Sequence, residues 1–308
     1  MTPSVTLLGP QRRPTVDRVV QSLGVEGRIA TVTAGWQERE SDDAELVSLL
    51  GGRGLNLRLH ARWLDVLEQD REYAAAEREH HAVLDELQQL YLLRLDHAVR
   101  ATLAVAERPT GHPRTQVMAI EDAVAMVRLI DATHVDRVRE VNAAFYGAWR
   151  PQEREAIARH RAEVRDVLST SECLVIAGGH VGRLLAVMHL FHVTPDLPAR
   201  VVAWSAGAMA LTSRVVLFHD GAVHGPAQTE VLGEGVGVIP RLVLFPHARR
   251  RLRTGDVTRM SLLARRFAPA ACVVLDDGVR LDLGPDLRLP PDARVIGADG
   301  RIVETSAA

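Results

Sequence analysis

The sequence contains no lysine, so its 37 basic residues are all arginine. They are balanced by 39 acidic residues, which leaves a formal net charge of -2 at pH 7. Binding the phosphate backbone of a nucleic acid needs a concentrated basic face, which this balance does not favour. The one dense basic run, HARRRLR at 247–253, is short. We therefore expect no nucleic-acid partner.

Cysteine is also scarce, with two residues in the chain. Cys173 and Cys272 lie in the apolar segments ECLVIAGG and AACVVLDD, a context that predicts small core side chains rather than a disulfide or a metal site. The pair Glu77 and His80 has the Glu-x-x-His spacing of di-iron bundles, but no second such pair follows. We therefore predict no metal and no other cofactor.

Long apolar runs are missing as well. No stretch approaches the ~20 residues that a membrane-spanning helix needs, and the N-terminal apolar run is far shorter than the ~7 to 15 residues of a signal-peptide core. The sequence therefore predicts a cytoplasmic protein that has no membrane partner.

The chain is predicted to consist of two α/β segments separated by a helical one. Residues 1–57 alternate strand and helix patterns, as in SVTLLGP, TVDRVVQSLG and GRIATVTAGW, which indicates a βαβ arrangement and a mostly parallel sheet. Residues 58–165 favour long helices and are predicted to form an inserted hairpin or bundle. Residues 166–308 return to strand patterns and form the second part of the α/β domain.

Two features of these segments lead to further expectations. The tail segments CVVLDDGVRLDL and ARVIGADGRIV each contain an Asp-Gly turn, which predicts hairpins at the sheet edge. The helical segment carries an apolar stripe that must be buried on the α/β core, within the insertion or on a second subunit. A homodimer formed through the insertion and a lid over the site both stay open.

The segment AWSAGAMAL, residues 203–211, places one serine between a β-like run and the start of a helix. Small residues at Ala203 and Gly207 would let the backbone bend tightly, as in a nucleophile elbow that exposes the Ser205 hydroxyl. The amide of Ala206 would then point at a developing oxyanion, aided by the positive end of the helix. The alternative is that Ser205 is a helix N-cap, a role that also suits serine.

A serine nucleophile needs a base and an orienting acid. His247 follows the apolar run of VLFPHARRR, and Asp220 follows that of VVLFHDGAV, so both lie at predicted strand ends. Ligands of α/β sheets bind at the edge where parallel strands end. Glu230 and Glu234, in TEVLGEG, are alternatives to Asp220 as the acid.

Four segments in order, IAGGHVGRLL, WSAGAMAL, FHDGAV and GEGVGVIPRLVLFPHARRRLR, resemble the dipeptidase E and cyanophycinase family of serine peptidases. The resemblance covers residues 170–285 well and 1–57 weakly, and it does not cover the insertion. It implies the flavodoxin-like three-layer fold of class I glutamine amidotransferases. It also implies that Ser205, Asp220 and His247 form the catalytic triad.

The resemblance further implies an oxyanion hole that contains the amides of Gly179 and Ala206. His180 stands at a position that faces the substrate in the family, where asparagine or glutamine is common. Arg251 resembles a residue of the cyanophycinase side, although an exposed helix face after the histidine explains this basic run equally well.

The function expected from these features is hydrolysis of a peptide or isopeptide bond in a small substrate through an acyl-enzyme. One alternative is an esterase or amidase that uses the same triad on a non-peptide substrate. Another is a non-catalytic scaffold or binding protein that uses the helical insertion, because a fold does not fix a function.

Overall fold

A computed structural model of the protein describes residues 3–218, 228–284 and 286–305. The strands are β1 (Ser4–Leu8), β2 (Ile29–Val32), β3 (Gly54–Asn56), β4 (Cys173–Ile176), β5 (Arg200–Trp204), β6 (Val215–Leu217), β7 (Glu230–Gly233), β8 (Leu242–Pro246), β9 (Ala271–Leu275), β10 (Arg280–Leu283), β11 (Arg294–Ile296) and β12 (Ile302–Glu304). The helices are α1 (Val16–Ser22), α2 (Ala44–Leu49), α3 (Leu59–Gln69), α4 (Arg71–Glu107), α5 (Pro113–Trp149), α6 (Glu155–Ser169), α7 (Val181–Leu190), α8 (Ala206–Ala210), α9 (Ala248–Arg251) and α10 (Val257–Phe267).

The main sheet has the strand order β10-β1-β5-β4-β2-β3. Strands β1 to β5 are parallel to their neighbours, as the sequence predicts, and β10 is antiparallel to β1. Consecutive side chains of a strand point to opposite faces, so Leu7 packs in a cluster with α3, α6 and α7 while Leu8 packs with α1 and α2. Helices therefore cover both faces of the sheet, and the continuous apolar runs of its strands are buried.

The long helical insertion that the sequence predicts lies between β3 and β4. Its two central helices, α4 and α5, have 37 residues each and pack antiparallel as one hairpin of about 55 Å, here called the helical hairpin. No helix in the described part of the chain is both long enough and apolar enough to span a membrane.

A buried polar network fastens the middle of the helical hairpin to the α/β part. The Arg266 guanidinium donates to both oxygens of Asp131, at 2.7 and 2.6 Å, and to the carbonyl of Thr229 at 2.6 Å. The Tyr91 hydroxyl donates to Asp131 and accepts from the amide of Val231, each at 2.9 Å. The polar groups of this network are buried, and breaking their hydrogen bonds would leave them unpaired away from water. The network therefore holds α4 and α5 against β7 and α10.

A second sheet has the order β12-β11-β9-β8, with β8 parallel to β9. Strands β11 and β12 form the hairpin predicted from ARVIGADGRIV. The prediction of a hairpin from CVVLDDGVRLDL is wrong, because β9 and β10 belong to different sheets. The Asp-Gly turn does form, but the chain then pairs with the edge of β1, where Leu281 and Leu283 become buried.

Both cysteines are free and buried, as predicted for core side chains. Burial raises the pKa of the Cys173 and Cys272 thiols to about 12, so neither thiol is ionised near neutral pH.

Candidate active site

Ser205 occupies the turn between β5 and α8. Its backbone has φ 51° and ψ -119°, a region that residues with a side chain rarely enter. An N-cap serine has an extended backbone and its hydroxyl accepts a hydrogen bond from the first turn, whereas the Ser205 side chain makes no capping bond. The geometry of Ser205 therefore differs from that of a plain helix cap.

Glycines next to Ser205 allow this close turn. A Cβ atom on Gly207 would lie 2.5 Å from the carbonyl oxygen of Ile176 and 2.7 Å from that of Ala177. A Cβ atom on Gly178 would lie 3.1 Å from the Cβ atom of Ser205. Helix α8 thus starts directly against the end of β4, which leaves no room for larger residues at these positions.

The loops after β2 and β4 are also in close contact. Gly179 has φ 126°, and a Cβ atom there would lie 2.3 Å from the carbonyl oxygen of Gly35. That oxygen accepts a hydrogen bond of 2.7 Å from the amide of His180. After β2 the chain continues to β3 on one side, and after β4 it continues to β5 on the other side. In α/β folds, ligands bind in the crevice beside such a reversal of strand order. Gly179, predicted as an oxyanion donor, is exposed.

His247 directly follows β8 and is largely buried. Its amide donates to the carbonyl of Leu275 at 3.3 Å, which aligns it with the end of β9. Its Nδ1 atom lies 3.5 Å from Oδ1 of Asp277, in the turn after β9. The imidazole therefore has a carboxylate near one of its ring nitrogens.

The charges around His247 favour its neutral form. Burial lowers the pKa of His247, and the nearby cations of Arg251, Arg12 and Arg250 lower it further, while Asp277 raises it. A general base must be unprotonated to accept a proton, and this environment favours the unprotonated ring.

The end of β1 connects the two halves of the site. The amide of Ser205 donates to the carbonyl of Leu8 at 3.3 Å. A Cβ atom on the next residue, Gly9, would lie 1.9 Å from the carbonyl oxygen of Asp276. Ser205 and the turn beside His247 thus flank the same strand end, close to where β1 and β5 end in one sheet and β9 ends in the other.

The predicted orienting acid and its alternatives have different positions. Asp220 lies outside the residues that the structure describes. Glu234 is bound to Arg139 of α5 at 2.7 Å, and Glu230 accepts a hydrogen bond from Gln88 of α4. Both glutamates are therefore engaged with the helical hairpin.

Asp277 was missed as a site residue, because its sequence context was interpreted only as a turn. The signal was available, since polar residues directly follow both β8 and β9, and neighbouring parallel strands end at one edge. Gln37, in the loop after β2, shares the unusual backbone of Ser205, with φ 57° and ψ -121°. No sequence pattern points to Gln37.

The two predicted substrate-binding residues are both exposed. His180 caps α7, with its Nδ1 atom accepting from the amide of Arg183 at 3.0 Å. Arg251 lies on α9 with Arg249 and Arg250, and this is the exposed helix face considered for the basic run.

Glu77 and His80, the pair with the Glu-x-x-His spacing in the insertion, are each hydrogen-bonded to a different side chain. The Glu77 carboxylate accepts from the indole of Trp63 at 2.9 and 3.0 Å, and His80 is hydrogen-bonded to Asn142 at 2.9 Å. Within the described residues, no group of three or more histidine, cysteine, aspartate or glutamate side chains is placed to hold a metal ion.

Searches against protein-family models and against curated proteins find no match for this chain. Among solved structures, the chain is similar to a peptidase from an acI-B1 Actinobacterium, with 13% sequence identity and a TM-score of 0.39. The similarity covers 96% of this chain and 88% of that one. A likeness of this size carries no statement about activity.

Proposed function

We propose that the protein is a serine hydrolase that cleaves a peptide or isopeptide bond in a small substrate, with Ser205 as the nucleophile. The observation that carries the proposal is the backbone of Ser205, which is held in a strained conformation at a strand-to-helix turn and makes no capping bond. Strain of this kind costs about 1–3 kcal/mol and persists at functional sites, where the surrounding structure imposes it.

In the proposed reaction, His247 accepts the proton of the Ser205 hydroxyl while the oxygen attacks the substrate carbonyl. The negative charge that develops on the carbonyl oxygen is stabilised by the amides of Ala206 and Gly179. His247 then gives its proton to the leaving amine, which leaves an acyl group on Ser205. Water then gives a proton to His247 and attacks the acyl carbonyl, and His247 returns that proton to the Ser205 oxygen as the product acid leaves.

We propose Asp277 as the residue that orients His247. Its carboxylate is the one placed beside the imidazole in the described residues, and it would hold one ring tautomer and stabilise the imidazolium. Asp220 is the rival assignment, predicted from the sequence. The two are separated by comparing Asp277→Asn with Asp220→Asn.

The order of the parallel strands, β3-β2-β4-β5-β1, supports a flavodoxin-like fold for this hydrolase. The chain moves from β2 to β3 at one side and reaches β4 and β5 at the other, as in doubly wound folds. The candidate serine follows β5, near the crevice formed at this reversal. A relationship to the dipeptidase E and cyanophycinase family is part of the same proposal.

The test is intact-mass analysis after treatment with a fluorophosphonate, followed by assays with small dipeptides and isopeptides. We expect one adduct on the wild type and on Ser213→Ala, which removes an exposed serine beyond α8. Ser205→Ala and His247→Ala should give no adduct.

Each outcome has a distinct meaning. An adduct on Ser205 with ester but no peptide hydrolysis would favour the esterase alternative. An unlabelled, folded wild type that also hydrolyses none of the substrates would contradict the proposal and favour a binding role.

A further inference from the structure

The helical hairpin leaves much apolar surface in water. Of the eleven large hydrophobic side chains that the described residues expose, seven lie on its two helices. These seven are Val83, Leu90, Leu93, Val117, Met118, Met126 and Leu129. Single exposed hydrophobics are common, but a concentration on one element marks an interaction surface.

One face of α4 combines such residues with charged ones. This face, here called the Leu90 face, consists of exposed residues spaced by three and four: Val83, Glu86, Leu90, Leu93, Arg94 and His97. Leu90 and Leu93 are 54% and 61% exposed, whereas Tyr91 and Leu95 on the other side of the helix are buried in the core. The spacing places the six residues together along the outer side of α4.

The charges on the Leu90 face are arranged symmetrically. Glu86 lies one helical turn before Leu90, and Arg94 lies one turn after it. Elsewhere on α4, Arg100 pairs with Asp96 at 2.7 Å. Among the described residues, neither Glu86 nor Arg94 takes part in an ion pair.

This symmetry fits a second copy of the same helix. If two α4 helices pack antiparallel and cross at Leu90, Glu86 of each copy lies level with Arg94 of the other. Leu93 of each copy then lies level with Leu87 of the other. A parallel pairing would instead place Glu86 beside Glu86 and Arg94 beside Arg94, which is unfavourable.

We propose that the protein forms a homodimer in which α4 packs antiparallel on α4 of a second copy, with Leu90 at the two-fold axis. Such an interface uses the same patch on both subunits. The network of Arg266, Asp131 and Tyr91 supports it, because it fixes the middle of the helical hairpin and so presents a preformed surface. The proposal is independent of the hydrolase proposal.

The test is sedimentation equilibrium of the full chain over a range of concentrations. We expect the wild type to be dimeric and Leu90→Glu to raise the dissociation constant by about 100-fold, because a charge would be buried at the axis. Asp85→Arg is the control, since it changes charge on an exposed position of α4 away from the Leu90 face. It should leave the dimer unchanged.

Charge reversal tests the antiparallel arrangement itself. Glu86→Arg and Arg94→Glu should each weaken the dimer by about tenfold, because like charges then meet across the interface. The double variant should recover most of this loss. These positions are exposed, so the variants should keep the wild-type secondary structure as measured by circular dichroism.

A monomeric wild type at all concentrations would overturn the proposal. It would also be overturned if Leu129→Glu on α5 dissociated the dimer while Leu90→Glu did not, since the contact would then use the other helix. Failure of the double charge reversal to recover the dimer would exclude the antiparallel arrangement.

Discussion

The site edge of the sheet and the helical hairpin are held in place by different means. Around Ser205, backbone segments pack directly against their neighbours. Glycine is needed at four positions, because a side chain there would collide with a neighbouring carbonyl or with Ser205: Gly9, Gly178, Gly179 and Gly207. In the helical hairpin, side chains carry the contact, through one buried network and an apolar stripe. We infer that the two regions can be perturbed separately, the first with loss of activity and the second with loss of stability.

The largest effect on activity, beyond loss of the nucleophile and base, is expected for Asp277→Asn. It removes the carboxylate that lies 3.5 Å from His247, and loss of the orienting acid of a triad lowers the rate by up to about 10⁴-fold. The melting temperature should stay near that of the wild type, because Asp277 is partly exposed. Steady-state hydrolysis and calorimetry measure the two quantities. A wild-type rate of hydrolysis in Asp277→Asn, together with a reduced rate in Asp220→Asn, would assign the orientation of His247 to Asp220.

The largest effect on stability is expected for Arg266→Met. It leaves Asp131 buried and uncompensated, which costs about 3–5 kcal/mol of unfolding free energy. Arg265→Met, at the neighbouring position, is the control and should change little. Below the melting temperature, the fluorophosphonate reaction of Arg266→Met should keep its wild-type rate. An equal loss of labelling and stability would show that the two regions are coupled.

A smaller, mixed effect is expected for Gly207→Ala. The added Cβ atom would lie 2.5 Å from the carbonyl oxygen of Ile176, so the start of α8 and Ser205 must shift. Overpacking of this kind costs about 1–3 kcal/mol, and a displaced nucleophile reacts up to about 10²-fold more slowly. Gly111→Ala has open space around it and serves as the control. Wild-type kinetics in Gly207→Ala would show that the tight turn is not required.

The smallest effect is expected for Arg251→Ala. The Arg251 cation lowers the pKa of His247, so its removal should raise that pKa. Because His247 must be neutral to act as a base, the acid limb of the pH-rate profile should move to higher pH. The rate at high pH should change little if Arg251 does not bind substrate. A fall in kcat/KM across all pH values would instead indicate that it does.

The sequence contained enough information to predict much of the fold. Continuous apolar runs predicted the parallel strands, and three-and-four spacing predicted the helical insertion, because these periodicities follow from local geometry. The pairing of β10 could not be predicted, since an Asp-Gly turn fixes a reversal of the chain but not the strand that is joined next. The result is that CVVLDDGVRLDL bridges two sheets.

The candidate site was partly predictable for the same reason. Small residues around Ser205 and a polar residue after an apolar run at His247 are local signals. The contact of Gly35 with Gly179 and the approach of Asp277 to His247 are tertiary, and they depend on which strands become neighbours. The unusual backbone of Gln37 leaves no mark on the sequence.

The most direct test of the central claim is the rate at which a fluorophosphonate labels Ser205 as a function of pH, in the wild type and in His247→Ala. We predict that wild-type labelling rises with pH along one titration whose midpoint lies below the ordinary histidine value of 6.5. Labelling of His247→Ala should be absent or very slow at every pH. Equal labelling of the two proteins, or labelling at a residue other than Ser205, would contradict the assignment of Ser205 and His247 as nucleophile and base.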